Sequence, residues 1–471
     1  MTLPGIRLGV VRGISYGLFG EPDEFVPQAR KLGAGLVRAY VFWSQVEPRP
    51  GEHDWTAVDA LLAQLDGDEE VWLTVCSSSP WATKVATDFL PPSPALDAAA
   101  YGDFVRRLVQ RCGGRVKFWQ CDNEPSNTGL LWAGSAEEYV MQLKAFHAAV
   151  CETDPAALVV LGGCGYDVFS SAEGSEPRAF FEHLVDAGRD HFDLFSAHLY
   201  GDPRAVPSFV DQATAMMARH GEPKPIVAGE HGGPVPFEFP ELEPAMQQAF
   251  ATAFAEAPAT QSTGELQERL ARETPERAAM RALYARMPEL SPRLQMFLDG
   301  CPPELDALRD RIACRQLVMR TVLALAAGIR RTAYWNLAPE VPGPVDPLQV
   351  MHLLFGKLPL LGYRERSLEV RHPAAEAFAR TAEHLAGVER VSQVDTSVFR
   401  VERTSRAPLF VLWDDRDPVD GEQDPPVPVT LPWPAPAATA VDALGEPVAT
   451  RVDAGRVRLE VSLTPVFLSA G

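Results

Sequence analysis

The chain has 471 residues, 46% hydrophobic and 23% charged, a balance ordinary for a globular protein with room for one large domain and a small one. Its 63 Asp and Glu against 43 Lys and Arg leave a formal charge of −20, which argues against nucleic acid or an anionic membrane as the main partner.

Apolar runs of strand length alternate with helix-period segments, the pattern of parallel βαβ units. The first run is 6–10, with a helix near 24–32. The second and third strands are expected at 35–41 and 71–76. Tyr101, Phe104, Val105, Leu108 and Val109 recur at i, i+3, i+4, i+7 and i+8, which predicts an amphipathic helix. A fourth strand follows at 116–121. Ser135 with Glu138 three residues on has the form of a capping box, opening a helix that runs to about Cys151. Strands five, six and seven are expected at 158–161, 192–197 and 225–228. A helix over 312–327, stopped by Gly328, precedes strand eight at 331–335. Eight short parallel strands are the count of a (β/α)8 barrel. A doubly wound open sheet is the runner-up, but no Gly-rich phosphate loop supports it.

Residues 231–311 break the rhythm, since loops longer than about 15 residues are usually functional or disordered. Helical stretches at 265–272 and 275–286 make this region, about 236–310, a small helical insertion. It either stands over the barrel mouth or decorates the surface without touching substrate. A helix over 373–385 completes the barrel. From Val391 short alternating runs appear, at 398–401, 409–413, 427–431, 448–452 and 457–463, punctuated by Pro, Asp and Gly. They predict a small antiparallel β domain, with 415–428 as its Pro- and Asp-rich loop. The expected division is a barrel over 1–388 and a β-sandwich-like domain over 389–471.

The first residues lack the basic-then-apolar layout of a signal peptide. The most apolar stretch, 317–329, is shorter than the roughly 18 residues that span a bilayer. Seven scattered cysteines, with Cys76, Cys121 and Cys164 in or beside strand-like runs, fit reduced thiols better than a disulfide framework. The expectation is a cytoplasmic protein; the oligomeric state is open.

Two glutamates follow apolar runs: Glu124 in Trp119-Gln120-Cys121-Asp122-Asn123-Glu124-Pro125 and Glu230 in Ile226-Val227-Ala228-Gly229-Glu230-His231-Gly232. An acidic residue is usually a solvated surface charge. A charge at the end of a buried strand is costly unless it has a role, and strand tips are where a (β/α)8 barrel keeps its chemistry. Two facing carboxyls are what cleavage of a glycosidic bond needs.

With these residues in place, the chain resembles the clan A glycoside hydrolases over about 6–387, most of all the β-xylosidase and α-L-iduronidase group (family 39), with family 5-like features. The resemblance makes Asn123-Glu124-Pro125 the acid/base motif and Glu230 the nucleophile. It pairs Arg38, in Leu36-Val37-Arg38-Ala39-Tyr40, with the nucleophile. It matches His198-Leu199-Tyr200 to a strand-six motif whose Tyr bonds the nucleophile, and Trp335 to the aromatic floor of the sugar site. Phe42-Trp43-Ser44-Gln45-Val46-Glu47-Pro48, Gly51-Glu52-His53-Asp54-Trp55 and Ser79-Pro80-Trp81-Ala82 resemble the loops after strands two and three. Two departures touch the substrate: the insertion is longer than that family carries, and the C-terminal region shows no motif to place.

The resemblance implies a retaining hydrolysis with Glu124 as proton donor and Glu230 as attacking carboxylate. Arg38 would keep Glu230 ionised; burial against Trp119 and the Glu230 charge would keep Glu124 protonated. Asn123 would donate to the sugar 2-hydroxyl. Trp43, Trp81, Trp132 and Trp335 follow strand ends and would stack on sugar, although a Trp is often simply packed. His198 has a core-histidine reading beside its functional one, and His231 either assists the site or shapes its loop. The partner is a carbohydrate, with a β-glycosidase acting on small oligosaccharides or glycosides as the first reading. A catalytically inactive glycan-binding barrel and a transglycosylase are the alternatives. Gly13-Ile14-Ser15-Tyr16-Gly17 matches a serine-hydrolase elbow in form, but the helix that should follow at once is delayed. His53, His191, His198 and His231 form no spaced ligand set, so neither metal nor cofactor is expected.

Overall fold

Strand β1 (Arg7–Val11) pairs in parallel with β2 (Leu36–Phe42), and β2 with β3 (Glu70–Cys76), in the computed structural model, which describes residues 3–242, 261–343 and 346–471. The sheet continues through β4 (Phe118–Cys121) to β5 (Leu158–Val160) on one side. On the other it runs from β1 through β8 (Arg331–Tyr334) and β7 (Ile226–His231) to β6 (Phe195–Leu199). Leu161 N donates to Leu194 O at 3.0 Å and Cys164 N to Ser196 O at 2.8 Å, closing β5 onto β6. The fold is a (β/α)8 barrel.

Period-two alternation divides the core. Val37, Ala39 and Val41 face the helices, while Leu36, Tyr40 and Phe42 fill the barrel. Each aliphatic side chain so buried contributes roughly 1.5–3 kcal/mol. The expected amphipathic helix is Ala98–Cys112, with all five of its periodic residues buried. The Ser135–Glu138 capping box opens helix Ala136–Thr153.

Most strand ends shift by one or two residues from expectation, and β6 and β7 move most, where polar residues masked them. Strand β2 runs one residue further, to Phe42, with Arg38 in its interior. Strand β6 begins at Phe195 and extends through His198 to Leu199. Strand β7 extends through Glu230 to His231. Polar side chains interrupt a hydrophobic pattern, yet here they pair with one another inside the barrel. The helix expected over 312–327 is Pro303–Ala326; its extra first turns carry Leu308 into the core of the insertion, beside Ile312.

Within the described residues, that insertion holds helices Thr263–Leu270 and Pro275–Ala285; its residues 243–260 lie outside the description. Phe239, Leu242, Met280, Leu294 and Phe297 form its core with the start of Pro303–Ala326. Gln261 and Leu90 exchange backbone hydrogen bonds of 2.7 and 3.1 Å, and Thr263 N donates to Asp88 at 2.8 Å. A segment that leaves β7 thus reaches the loop after β3, across the barrel mouth.

The C-terminal region forms a five-stranded and a three-stranded antiparallel sheet. Strands Val388–Asp395, Ala438–Asp442 and Val466–Ala470 go beyond the runs expected from sequence, as does the hairpin of Leu361–Arg364 with Ser367–Arg371. Val391, Phe399, Leu409 and Phe467 belong to the same core as the outer face of the barrel. Arg204 pairs with Asp415, Arg293 with Asp417, and Arg311 and Arg315 with Glu422, tying loop 415–428 to the barrel side. All seven cysteines are free. No described helix is long and apolar enough to cross a membrane.

Candidate active site

The C-terminal tips of β4, β6 and β7 bring Glu124, His198 and Glu230 together, with one carboxylate or ring atom of each within 4.8 Å of the others. Glu124 is turned into the mouth by a short segment in which Asp122 and Glu124 both take positive φ, 51° and 40°. A left-handed conformation costs a non-glycine residue on the order of 1 kcal/mol or more, so the surroundings impose it. Asp122 is held by Ser77 N at 2.8 Å and Gln142 Nε2 at 2.8 Å.

Glu230 is almost fully enclosed. Its Oε1 accepts from Arg38 Nη1 at 2.7 Å and from Tyr40 Oη at 2.8 Å; its Oε2 accepts from Tyr200 Oη at 2.9 Å. Burial pushes this carboxyl up, but His198, Arg38 and Tyr40 outweigh it and hold it below the ordinary glutamate range. Glu124 lies the other way. Burial pushes it up, His198 pulls it back, and the Glu230 charge adds to the rise, leaving it above the ordinary value. Two carboxyls with opposed proton affinities are thereby set face to face.

His198 Nδ1 lies 2.6 Å from Glu124 Oε1 and 3.4 Å from Glu230 Oε2. Its Nε2 is buried with no hydrogen-bond partner among the described residues. A Cβ on Gly163 would overlap that ring, and one on Gly229 would stand 3.2 Å from Nε2; bare backbone on both flanks makes the histidine fit. Asn123 Oδ1 accepts from Arg38 Nη2 at 2.7 Å and from Gln120 Nε2 at 3.1 Å. The Asn123 amide nitrogen is left without a bond among the described residues, as a donor for a ligand.

Glu124, His198 and Glu230 offer three ligand atoms to a cation. Arg38 already supplies the positive charge beside Glu230, and a metal there would face that guanidinium.

The expected aromatics divide. Trp335 is half-buried at the tip of β8, its ring edge-on to Tyr40 with centroids 6.4 Å apart. Trp43 is fully buried instead, stacked on Phe104 at 5.1 Å, so it is a packing residue on the helix-facing side. Trp81 packs edge-on to Trp43 and donates to Glu47 O at 3.0 Å. It is anchored to the loop after β2, half-buried against the helix-facing core. Trp132 is buried against Tyr139. Trp119 alternates outward into the helix layer and does not desolvate Glu124. His231 adjoins Glu230 in sequence, but its ring lies edge-on to Tyr334. Burial and then Arg320 lower it to about 3, and it makes no hydrogen bond to either carboxylate. Ser15 Oγ donates to Glu340 at 2.9 Å and has no histidine partner, which removes the serine-hydrolase arrangement.

Four residues, Tyr40, Trp72, Thr74 and Gln120, escaped the sequence reading. Tyr40 shares a strand face with Arg38, two residues on, and that period was the available signal. Trp72 is the register partner of Arg38, lies 5.3 Å from its guanidinium, and donates to Gln120 at 3.1 Å. Thr74 accepts from Arg38 Nε at 3.1 Å. Nothing local marks Trp72, Gln120 or Thr74 as polar partners within an apolar strand.

A (β/α)8 barrel with a carboxyl pair over β4 and β7 is the class of protein defined here. Solved structures share the architecture at low identity. A family 39 glycoside hydrolase from Bacteroides cellulosilyticus WH2 matches with TM-score 0.63 and 14% identity, over 99% of this chain and 81% of that one. A monomeric β-xylosidase from Caulobacter crescentus CB15 matches with TM-score 0.61 and 13% identity, over 100% and 98%. A glucosidase from Croceicoccus marinus matches with TM-score 0.59 and 12% identity, over 100% and 98%. The likeness is one of fold, and it is the fold that the resemblance to clan A implies. No family model and no curated protein matches the chain in sequence.

Proposed function

We propose that the chain is a retaining glycoside hydrolase, with Glu124 as acid/base and Glu230 as nucleophile. The observation that carries this reading is the carboxyl pair itself. One oxygen of each lies within 4.8 Å of the other, on the side of the close pairs of retaining enzymes, roughly 5–5.5 Å, and short of the roughly 6.5–9.5 Å that leaves room for a water in inverting ones.

In the first step Glu124 gives its proton to the glycosidic oxygen as the bond from C1 to that oxygen breaks. Glu230 attacks C1 from the opposite face and forms a glycosyl ester. The ionised Glu124 then takes a proton from water as the hydroxyl adds to C1, and the ester bond breaks to return Glu230 as carboxylate. Arg38, Tyr40 and Tyr200 fix the attacking oxygens and favour the carboxylate. Asn123 would donate to the 2-hydroxyl, and Trp335 would floor the sugar ring. The insertion that reaches across the mouth supports a closed site acting on chain ends.

The test is a panel of aryl glycosides of both anomeric forms, wild type beside Glu230→Gln. Release of phenol from one sugar, reduced on the order of 10⁴-fold in the variant, and a first-formed product of unchanged anomeric configuration are expected. Inversion of configuration, or turnover that survives in the variant, would overturn the assignment.

A further inference from the structure

Tyr40 and Phe42 lie on the same face of β2, with Phe42 about 7 Å nearer the mouth. Tyr40 bonds Glu230, so Phe42 stands just outside the attacking carboxylate. Phe89, from the loop after β3, packs on Phe42 with ring centroids 5.4 Å apart, and Phe19, from the loop after β1, meets Phe89 edge-on at 5.4 Å. Phe42 and Phe89 are themselves buried, and the half-buried Ile14, Leu18, Phe19, Leu131 and Leu266 pack against the barrel-interior cluster to which both belong. Leu266 belongs to helix Thr263–Leu270, which the Gln261–Leu90 bridge and the Thr263–Asp88 hydrogen bond fasten to the loop after β3. Leu131 lies in the loop that follows Glu124, the side on which a leaving oxygen must stand to take its proton.

Three separate segments, the loops after β1 and β4 and the insertion, therefore place half-buried aliphatic and aromatic side chains at the barrel mouth. None of Ile14, Leu18, Phe19, Leu131 and Leu266 carries a side-chain donor or acceptor. A second sugar there would lose water from its hydroxyls without side-chain partners in return. An alkyl or aryl group has no such loss and gains from burial.

Resting on the glycosidase reading, we infer that this site selects an apolar leaving group: its substrate is a glycoside with an alkyl or aryl aglycone, not a second sugar. The insertion contributes through Leu266, which makes it part of the aglycone site.

The glycone is first found with glycosyl fluorides of both anomers, which carry no aglycone. kcat/KM is then measured on the methyl to octyl glycosides of that sugar, beside its disaccharides. A rise of at least about tenfold from methyl to hexyl is expected, with the hexyl glycoside above every disaccharide. Leu266→Gln and Leu131→Gln, each checked for an unchanged melting temperature, should flatten the series. Turnover of the fluoride with a flat series, or a disaccharide preferred over the hexyl glycoside, overturns this inference alone. Silence on all fluorides overturns the glycosidase reading and takes this one with it.

Discussion

Arg38 shows why single residues matter in this barrel. It is fully buried and hydrogen-bonds Thr74, Gly229, Glu230 and Asn123 at once. A lysine carries one charge but no fork and cannot hold all of these. In the wild type, activity should fall as pH drops through the lowered Glu230 value, because the carboxylate is lost. It should fall again as pH rises through the raised Glu124 value, because the donor proton is lost. Arg38→Lys is expected to lower kcat and move the acid limb to higher pH, read from kcat/KM against pH; an acid limb that stays in place would remove Arg38 from this role. Gly163 is the second sensitive position. Gly163→Ala forces a Cβ into the His198 ring, and overpacking of this kind costs about 1–3 kcal/mol. The melting temperature should drop and the alkaline limb, which depends on Glu124 beside His198, should shift; a variant with wild-type melting and pH profile would show that the ring relaxes freely.

Elements are tied together by buried charge as well as by apolar contact. Glu238, at the start of the insertion, accepts from Arg320 Nη2 at 2.6 Å and from Gln316 Nε2 at 2.7 Å, while Arg320 Nη1 donates to Leu199 O at 3.2 Å, between His198 and Tyr200. The insertion, helix Pro303–Ala326 and the tip of β6 thus share one network. Burial pushes Glu238 up to about 7, against the pull of Arg320 and Gln316. A carboxyl raised on folding contributes stability that is complete below its unfolded value, near 4.5, and is lost as pH rises through about 7. The loss amounts to about 3 kcal/mol at most. Denaturant midpoints should therefore decline from pH 5 to pH 8 in the wild type and decline less in Glu238→Gln; parallel curves would show that Glu238 titrates elsewhere.

On the scale of the molecule, the C-terminal sheets are not a detached module. Phe399 is fully buried and stacks on Trp413 at 5.0 Å, within the core that also holds the outer face of the barrel. Phe399→Ala should cost about 3–5 kcal/mol. Because the core is continuous, the loss should lower the melting of barrel and sheets together in one transition. Two transitions, with only the minor one displaced, would show independent units.

Much of the fold was legible in the sequence because local rules agree with the global arrangement. The periodic helix at Tyr101–Val109, the Ser135–Glu138 cap and the alternation of apolar strands each follow from backbone geometry and burial, and eight such strands have few ways to pack except a barrel. Both carboxylates and the Asn123, His198 and Tyr200 positions were marked by motifs near strand tips, while Arg38 lies inside β2. What the chain did not reveal lies between elements far apart in sequence. Whether Trp43 faces sugar or helix depends on which side of the mouth its loop falls, and burial against Phe104 placed it with the helices. Tyr40 became a partner of Glu230 only when β2 and β7 closed around Arg38. The reach of the insertion to Asp88 and Leu90, and the single core shared with the C-terminal sheets, were decided by tertiary packing, because no local pattern states which distant apolar surface will cover another.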